Sequence, residues 1–331
     1  MTNKVYLASV GTRSGKSVLS LGLAMNYPGS VGFYKPFRES LVKIDGKHMD
    51  QDAVLMASVL DLHDGEKLSP FVYDIYSPMT IDDIVAGYRA IEGDRDFVII
   101  EGSRDFANGF SHGVSHLDIA EAMDVPIILV SSTDHQSLDA VFLFKSMCEA
   151  RGIELKGVVL NRCTGDKEIR FLESKGINVI GGIPVIPELR TFHVHEITEA
   201  IKSKVVAGEK GLNRLVEEVI VGAMSPQVAV RYMRRSKCKA VITGGDRTEI
   251  MLAALSTNTS CIVVTGGIMP SRMVTSRANE IDVPIIMTDD NTLAVVETLE
   301  HLIARINPDD KEKIDLITKG VRKGLDLEKI W

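Results

Sequence analysis

The sequence predicts an α/β protein: a parallel sheet with helices on both faces, followed by a second, smaller α/β layer. Three observations predict it. First, Phe97-Val98-Ile99-Ile100, Val125-Pro126-Ile127-Ile128-Leu129-Val130 and Gly157-Val158-Val159-Leu160 are apolar runs without alternation, so both faces of each strand are covered. Second, helical segments separate them, Leu138 to Arg151 and Lys167 to Lys175 among these, and β-α-β-α order builds a parallel sheet. Third, a glycine-bearing turn joins the first strand, Val5 to Ala8, to the first helix, Val18 to Met25.

That turn, Ala8-Ser9-Val10-Gly11-Thr12-Arg13-Ser14-Gly15-Lys16-Ser17, is a candidate phosphate site. It follows the pattern G-x-x-x-x-G-K-[ST] with one defect: Val10 fills the first glycine slot and Gly11 falls one place late. Backbone N–H groups of Gly11, Thr12, Arg13, Ser14 and Gly15 converge where the positive end of a helix dipole lies. Lys16 supplies a mobile charge for outer phosphates, and the Ser17 hydroxyl suits Mg²⁺. Strand before and helix after mark a P-loop NTPase-like domain rather than a structural loop.

The chain has 331 residues, 45% hydrophobic and 25% charged, a length that suggests two domains. Net charge is -7, and no basic block supports a nucleic-acid partner. There is no signal peptide and no apolar run long enough to span a membrane, so a cytoplasmic protein is expected. Cys148, Cys163, Cys238 and Cys261 are scattered without a C-x-x-C pair and read as reduced thiols.

After the first helix, Val31 to Pro36 reads as a strand ending at Lys35, and Arg38 to Gly46 as a polar loop. His48-Met49-Asp50-Gln51-Asp52 leads into a helix from Ala53 to Leu60, and Thr80 reads as the N-cap of another. Asn178 to Pro184 is the last strand of this half. Lys35, Glu101, Ser131 and Asn161 all fall at C-terminal strand ends, where such sheets bind ligands. Glu101 reads as a Mg²⁺ ligand or as a helix-capping acid, and Asp52 equally as a site acid or an N-cap. Lys35 reads as a solvated strand end or as a cation that neutralises phosphate charge during transfer. Asn161 reads as a turn cap or as an amide able to pair with a donor and an acceptor on a purine edge.

In this order, Gly15-Lys16-Ser17, Tyr34-Lys35-Pro36, Asp52-Ala53, Val98 to Gly102, Val125 to Val130, Gly157 to Asn161 and Gly182-Ile183-Pro184 resemble dethiobiotin synthetase. The resemblance covers residues 1 to about 190 and implies an ATP- and Mg²⁺-dependent ligase fold. It implies that Lys16 contacts phosphates, that Ser17, Asp52 and Glu101 form the metal site, and that Asn161 reads adenine. It also implies that Lys35 stabilises the transferred phosphoryl or carbamate group. Two places depart from the family. Glu-Gly-Ala-Gly-Gly is here Glu101-Gly102-Ser103-Arg104-Asp105, and the Thr-rich phosphate loop is Val10-Gly11-Thr12-Arg13. The first change removes the glycine-lined surface that faces the organic substrate, so biotin synthesis is not expected.

From about residue 188 the chain changes character. Phe192 to Glu196 opens a polar helix, Val219 to Pro226 reads as strand, turn and helix start, and Ala240 to Thr248 is a strand running into a glycine turn. The helix Glu249 to Leu255, the strand Cys261 to Gly267, the strand Pro284 to Asp290 and the helix Thr292 to Arg305 follow. Gly244-Gly245-Asp246-Arg247 and Thr265-Gly266-Gly267 resemble the DRTGG domain over roughly residues 195 to 305. Asp246, Arg247, Thr265, Gly266 and Gly267 read as a ligand site or subunit contact, or as tight turns with a simple ion pair. His112, His116, His193 and His195 lack a third ligand and read as surface or capping histidines. The tail, Asn307 to Trp331, reads as a solvated helix docking through Ile314, Leu316, Ile317, Val321 and Trp331.

Three domains are therefore expected: 1–190, 191–306 and a helical tail, 307–331. The arrangement is similar to the N-terminal region of long phosphate acetyltransferases, and it implies a homodimer. The acetyltransferase catalytic domain does not follow, so the chain is not expected to be that enzyme. The expected function is ATP and Mg²⁺ binding, with a small-molecule metabolite as second partner. Such a protein is either an ATP-dependent enzyme on a small anionic metabolite or a regulatory sensor. The alternative is a small-molecule kinase for a hydroxyl or carboxylate.

Overall fold

A strand of seven residues, Asn3–Ser9 (β1), is the axis of the first half of the fold. The computed structural model describes residues 3–44, 46–62, 64–77, 79–303 and 306–331. It divides into two units, Met1–Ile186 with Ile306–Trp331, and Pro187–Arg305. In the first, β1 runs through the phosphate turn into α1 (Lys16–Asn26) and then β2 (Val31–Tyr34). The stretch read as a polar loop is instead a two-stranded hairpin, β3 (Leu41–Ile44) against β4 (Lys47–Asp50). Its residues are largely exposed and no core shapes their pattern.

The helix after it, α2 (Gln51–Val59), is capped by Asp50, whose carboxylate accepts from the backbone N–H of Asp52 and Ala53. Asp52 lies within the first turn and is not the cap. Short α3 (Gly65–Leu68) precedes α4 (Ile81–Arg89), where Thr80 is the N-cap and Asp83 completes a capping box. Then β5 (Phe97–Glu101), α5 (His116–Met123), β6 (Ile127–Ser131), α6 (His135–Arg151), β7 (Leu155–Cys163), α7 (Lys167–Ser174) and β8 (Val179–Pro184) alternate.

The resulting sheet has the order β2-β5-β1-β6-β7-β8, and every pairing is parallel. Every residue of β5 and β6 is buried, as unalternated apolar strands require. The chain leaves β1 for one side of the sheet and returns past it to the other. The phosphate turn therefore sits where the strand order reverses, the place where such sheets open a crevice.

In the second unit, β9 (Phe192–His193), α8 (Val194–Ala200), β10 (Ser203–Ala207), β11 (Leu215–Val216), β12 (Glu218–Val221) and α9 (Pro226–Met233) come first. They are followed by β13 (Lys239–Gly244), α10 (Thr248–Leu255), β14 (Thr259–Thr265), α11 (Arg272–Glu280), β15 (Ile285–Thr288) and α12 (Thr292–Ile303). The expected end of α12 at Arg305 lies outside the described residues. The main sheet has the order β10-β15-β14-β13-β12, parallel except for the edge strand β10.

The tail helix α13 (Lys311–Gly324) returns to the first unit, where Ile317 and Val321 are buried. It packs along α1 and against β8. A Cβ at Gly22 in α1 would stand 2.3 Å from Cγ2 of Val321, so the two helices meet where no side chain intervenes. Asn26 fastens the contact: its amide donates to the Thr318 carbonyl at 3.0 Å and its oxygen accepts from Arg322 Nε at 2.7 Å. Beyond the helix, Leu325 bridges to Gly181 and the Asp326 N–H donates to the Ile180 carbonyl, closing the open edge of β8.

Gly22→Ala is expected to destabilise the protein by roughly 1–3 kcal/mol through overpacking, even though alanine favours the helix. Val321→Ala in the same chain removes the atom nearest the new methyl and leaves Cβ at 2.7 Å, so it relieves part of the clash. Urea unfolding of the two single variants and the double variant should show a combined loss smaller than the sum by at least about 0.5 kcal/mol. Strict additivity would refute the close contact.

Candidate nucleotide site

The turn after β1 is shaped by its packing. Val10 is buried in the core of the first unit, which explains why the first glycine slot holds a valine. Gly11 has open space around it. The Ser14 hydroxyl donates to the Gly11 carbonyl at 2.6 Å and tightens the loop. Gly15 has φ +100, and a Cβ there would lie 2.0 Å from Nδ2 of Asn161. Both facts demand glycine. No side chain caps α1 and no acid stands in its first turn, so its N-terminal N–H groups face the loop without a carboxylate. Asn161, near the end of β7, thus lies against the turn, and its amide makes no hydrogen bond among the described residues.

Behind the loop two buried lysines and four carboxylates meet. Lys16 Nζ is 2.8 Å from the Ser9 hydroxyl, which in turn donates to the Arg104 carbonyl at 3.0 Å. Burial holds the Lys16 pKa below the ordinary lysine value, against the pull of Glu101 and Glu39. Lys35 Nζ is 2.6 Å from Asp52, 3.2 Å from Asp50, 3.7 Å from Glu101 and 4.0 Å from Glu39. Burial opposes its charge, but Asp52, Asp50, Glu101 and Glu39 outweigh that cost and hold it charged, with a pKa well above the usual lysine value.

Asp52 is desolvated, yet Lys35 and a hydrogen bond from Ser17 keep its carboxyl below the usual range. Glu101, at the end of β5, accepts from the Ser20 hydroxyl at 2.5 Å. Burial and then the charge of Asp52 push its pKa up to about 8. Its side chain lies inside the cluster and caps no helix.

Of the residues singled out in the sequence, Lys16, Ser17, Lys35, Asp52 and Glu101 come together, with Asn161 beside the loop. Ser131 does not join them: its hydroxyl donates to the carbonyls of Ser132 and Ser137 and closes its own turn. Ser9, Glu39 and Asp50 were missed. Their signals are weak, since a serine ending a strand and acids before a helix have common structural uses.

Behind Glu101, the Tyr6 hydroxyl lies 2.9 Å from Nδ1 of His116. A Cβ on Gly102 would strike both rings, at 2.3 Å from that nitrogen and 2.5 Å from the hydroxyl. His116 is fully buried and is neither a surface nor a capping histidine. Burial, with the charge of Lys16, lowers its pKa to about 3.

In the second unit, Gly266 and Gly267 both have positive φ, and a Cβ at Gly245 would collide with the Ile268 carbonyl. Turn geometry accounts for these glycines. Arg247 donates to the Met224 carbonyl at 2.9 Å, and no ion pair between Asp246 and Arg247 forms. The Thr265 hydroxyl meets that of Thr292 at 3.1 Å. The thiols of Cys148, Cys163, Cys238 and Cys261 are free. Among the described residues no helix is long and apolar enough to cross a membrane.

Comparison with known proteins follows the same division. A sequence model of the family described as AAA domain matches residues 3–191. The chain belongs to that family. A second model, described as DRTGG domain, matches residues 196–302. A phosphate acetyltransferase of Nitratidesulfovibrio vulgaris is 26% identical over 95% of this chain and 49% of its own length. One from Synechocystis is 25% identical over 100% of this chain and 51% of its own length. The ATP-dependent dethiobiotin synthetase BioD of Clostridium perfringens is 25% identical over 61% of this chain and 99% of its own length. The chain thus spans about half the length of the acetyltransferases it matches, and it joins a dethiobiotin-synthetase-like domain to a DRTGG domain.

The buried His116 predicts an acid-sensitive fold. The unfolded chain takes up a proton below about pH 6.5, whereas the folded site resists until about 3, so stability falls as pH falls through that window. Between pH 7.5 and 5.5 the wild type should lose about 1.4 kcal/mol more than His116→Asn, read by urea unfolding at each pH. Parallel losses would show that the imidazole is not held neutral.

Proposed function

We propose that the first unit binds ATP with Mg²⁺ and uses it to activate a small anionic metabolite by phosphoryl transfer or ligation. The observation that supports this is the meeting of Lys16, Ser17, Lys35, Asp52 and Glu101 at the mouth of the phosphate turn. In this reading the backbone of Gly11 to Gly15 holds the phosphates, with Lys16 reaching the outer ones. Lys35 offsets charge on the group in transit. The free amide of Asn161 takes the adenine edge.

Asp52, Glu101 and the Ser17 hydroxyl make an all-oxygen donor set of the hardness that suits Mg²⁺. Among the described residues no group of three His, Cys, Asp or Glu side chains forms a ready metal cage. Phosphate oxygens and water would therefore complete the shell, the usual manner for this ion. Burial and Asp52 raise Glu101 to about 8, and a dication beside it would favour its ionised form. Bound there, Mg²⁺ would supply charge neutralisation at the phosphate oxygens. In the second unit Asp246, Arg247, Thr265, Gly266 and Gly267 share one end of the sheet, and there we place a ligand or subunit contact within a homodimer.

A second reading is a sensor that binds nucleotide without turnover. The chain path favours it: the second unit is inserted between β8 and α13, and α13 packs on the helix that leaves the phosphate turn.

The test is ADP release with Mg-ATP across a metabolite panel, beside nucleotide affinity by calorimetry. Lys16→Ala should weaken nucleotide binding at least about thirtyfold, the loss of one charge-assisted contact of about 2 kcal/mol, while melting stays cooperative. Wild-type affinity in the variant would overturn the nucleotide site. Binding without ADP release under any metabolite would select the sensor.

A further inference from the structure

We propose that Arg104 recognises the acidic group of the second ligand, a carboxylate or phosphate, beside the nucleotide site. This rests on the reading of the first unit as an ATP site. Arg104 is pinned through its own backbone. Its N–H donates to Glu39 Oε1 at 2.6 Å, and its carbonyl accepts from Ser9 Oγ at 3.0 Å. The guanidinium is then oriented on one edge only: Nη2 donates to the Glu39 carbonyl at 3.1 Å and Nε stands 3.5 Å from Glu39 Oε1. No hydrogen bond among the described residues uses Nη1, and the side chain is 51% exposed. A planar fork held on one edge and open on the other is suited to a second oxyanion.

The location follows from the same two partners. Ser9 also holds Lys16, and the other oxygen of Glu39 faces Lys35 at 4.0 Å. One hydroxyl and one carboxylate therefore tie Arg104 to both lysines of the cluster. An anion on its free edge lies next to the place where the phosphoryl group would move. Arg38 offers no such edge: Nε and Nη1 donate to the carbonyls of Ser69 and His48, and Nη2 faces Glu66. The plainer account of Arg104 is a loop tether through an exposed ion pair, which is worth little energy. That account explains the engaged edge and leaves the open one without a use. The inference also assigns a use to Ser103-Arg104-Asp105, the segment where the sequence departs from the dethiobiotin synthetase pattern.

Succinate, inorganic phosphate and neutral succinamide are titrated into the full chain with Mg²⁺, with and without AMP-PNP, by calorimetry. Wild type should take up succinate or phosphate, and not succinamide, while AMP-PNP is bound. Arg104→Gln should weaken that uptake at least tenfold. Arg104→Lys should fall between the two, because an ammonium cannot present a fork. Arg104→Gln should melt as wild type does and bind AMP-PNP within about threefold of wild type. A purely structural role would lower the melting temperature of Arg104→Gln and Arg104→Lys alike and weaken AMP-PNP as much as the anion.

The proposal is overturned if wild type takes up neither anion in the presence of AMP-PNP, or if Arg104→Gln titrates like wild type. Phosphate uptake that AMP-PNP abolishes and Arg104→Gln leaves unchanged belongs to the phosphate turn and also overturns it. Failure of AMP-PNP to bind, with anion uptake still lost in Arg104→Gln, counts against the ATP reading alone.

Discussion

The buried ammonium of Lys35 is the constraint around which the first unit closes. A charge removed from water must find partners or lose its proton. Here its carboxylates come from separate segments: Asp50 and Asp52 flank the start of α2, Glu101 ends β5, and Glu39 precedes the hairpin. Strands β2 and β5 are neighbours in the sheet, and α2, which also buries Ala53, Leu55 and Met56, carries its acids to their ends. Asp50 shows how tightly this is drawn. Its two oxygens accept four backbone N–H groups, from Glu39, Ser40, Asp52 and Ala53, and still reach Lys35. Removing the Lys35 ammonium would leave these carboxylates buried around a place with no cation, so the cluster depends on it.

That interdependence bears on chemistry as well as on folding. Lys16 and Lys35 share the acids Glu101 and Glu39, and burial works against both charges: at Lys16, with few close acids, burial prevails and the pKa sits low, while the carboxylates around Lys35 outweigh it and the pKa sits high. Two ammonium groups of unlike proton affinity at one sheet edge give a site one cation that is permanently charged and one that is more easily discharged. Glu101, raised to about 8 by burial and then by Asp52, is an acid of this cluster that takes up a proton readily.

The parallel sheet was legible because its strands are apolar on both faces, and Lys16, Lys35 and Glu101 were legible because they end or follow such strands, whereas Asp52 showed only as an acid at a helix start. Other parts were not, for physical reasons. The hairpin of β3 and β4 carries Leu41 and Ile44 on exposed positions, so hydrophobic periodicity had nothing to report. Its cue lay in chemistry instead, in the Asp45-Gly46 dipeptide that favours tight hairpin turns. Asp50 was passed over because the N-cap signal fits Asp52 as well, and no spacing rule encodes its reach to Lys35. The spacing of Ile314, Ile317 and Val321 showed the tail to be an amphipathic helix. Its docking partner stayed hidden, since the surface it meets is centred on a bare glycine, Gly22. The DRTGG glycines illustrate the reverse: positive φ at Gly266 and Gly267 and a carbonyl against Gly245 already require glycine, so the residue type by itself does not mark a ligand.

The return of α13 to α1 sets an order of assembly on the ribosome. The strands that surround the phosphate turn are made first, then the whole of the second unit, and only afterwards the helix that covers α1 and the edge of β8. Until residues 311–331 have been synthesised, the apolar flank of α1 and the unpaired edge of β8 have no cover of their own. Such surfaces in a nascent chain are where premature pairing and aggregation begin. In a chain built this way, the helix that follows the phosphate turn reaches its final packing only after the inserted unit has been synthesised.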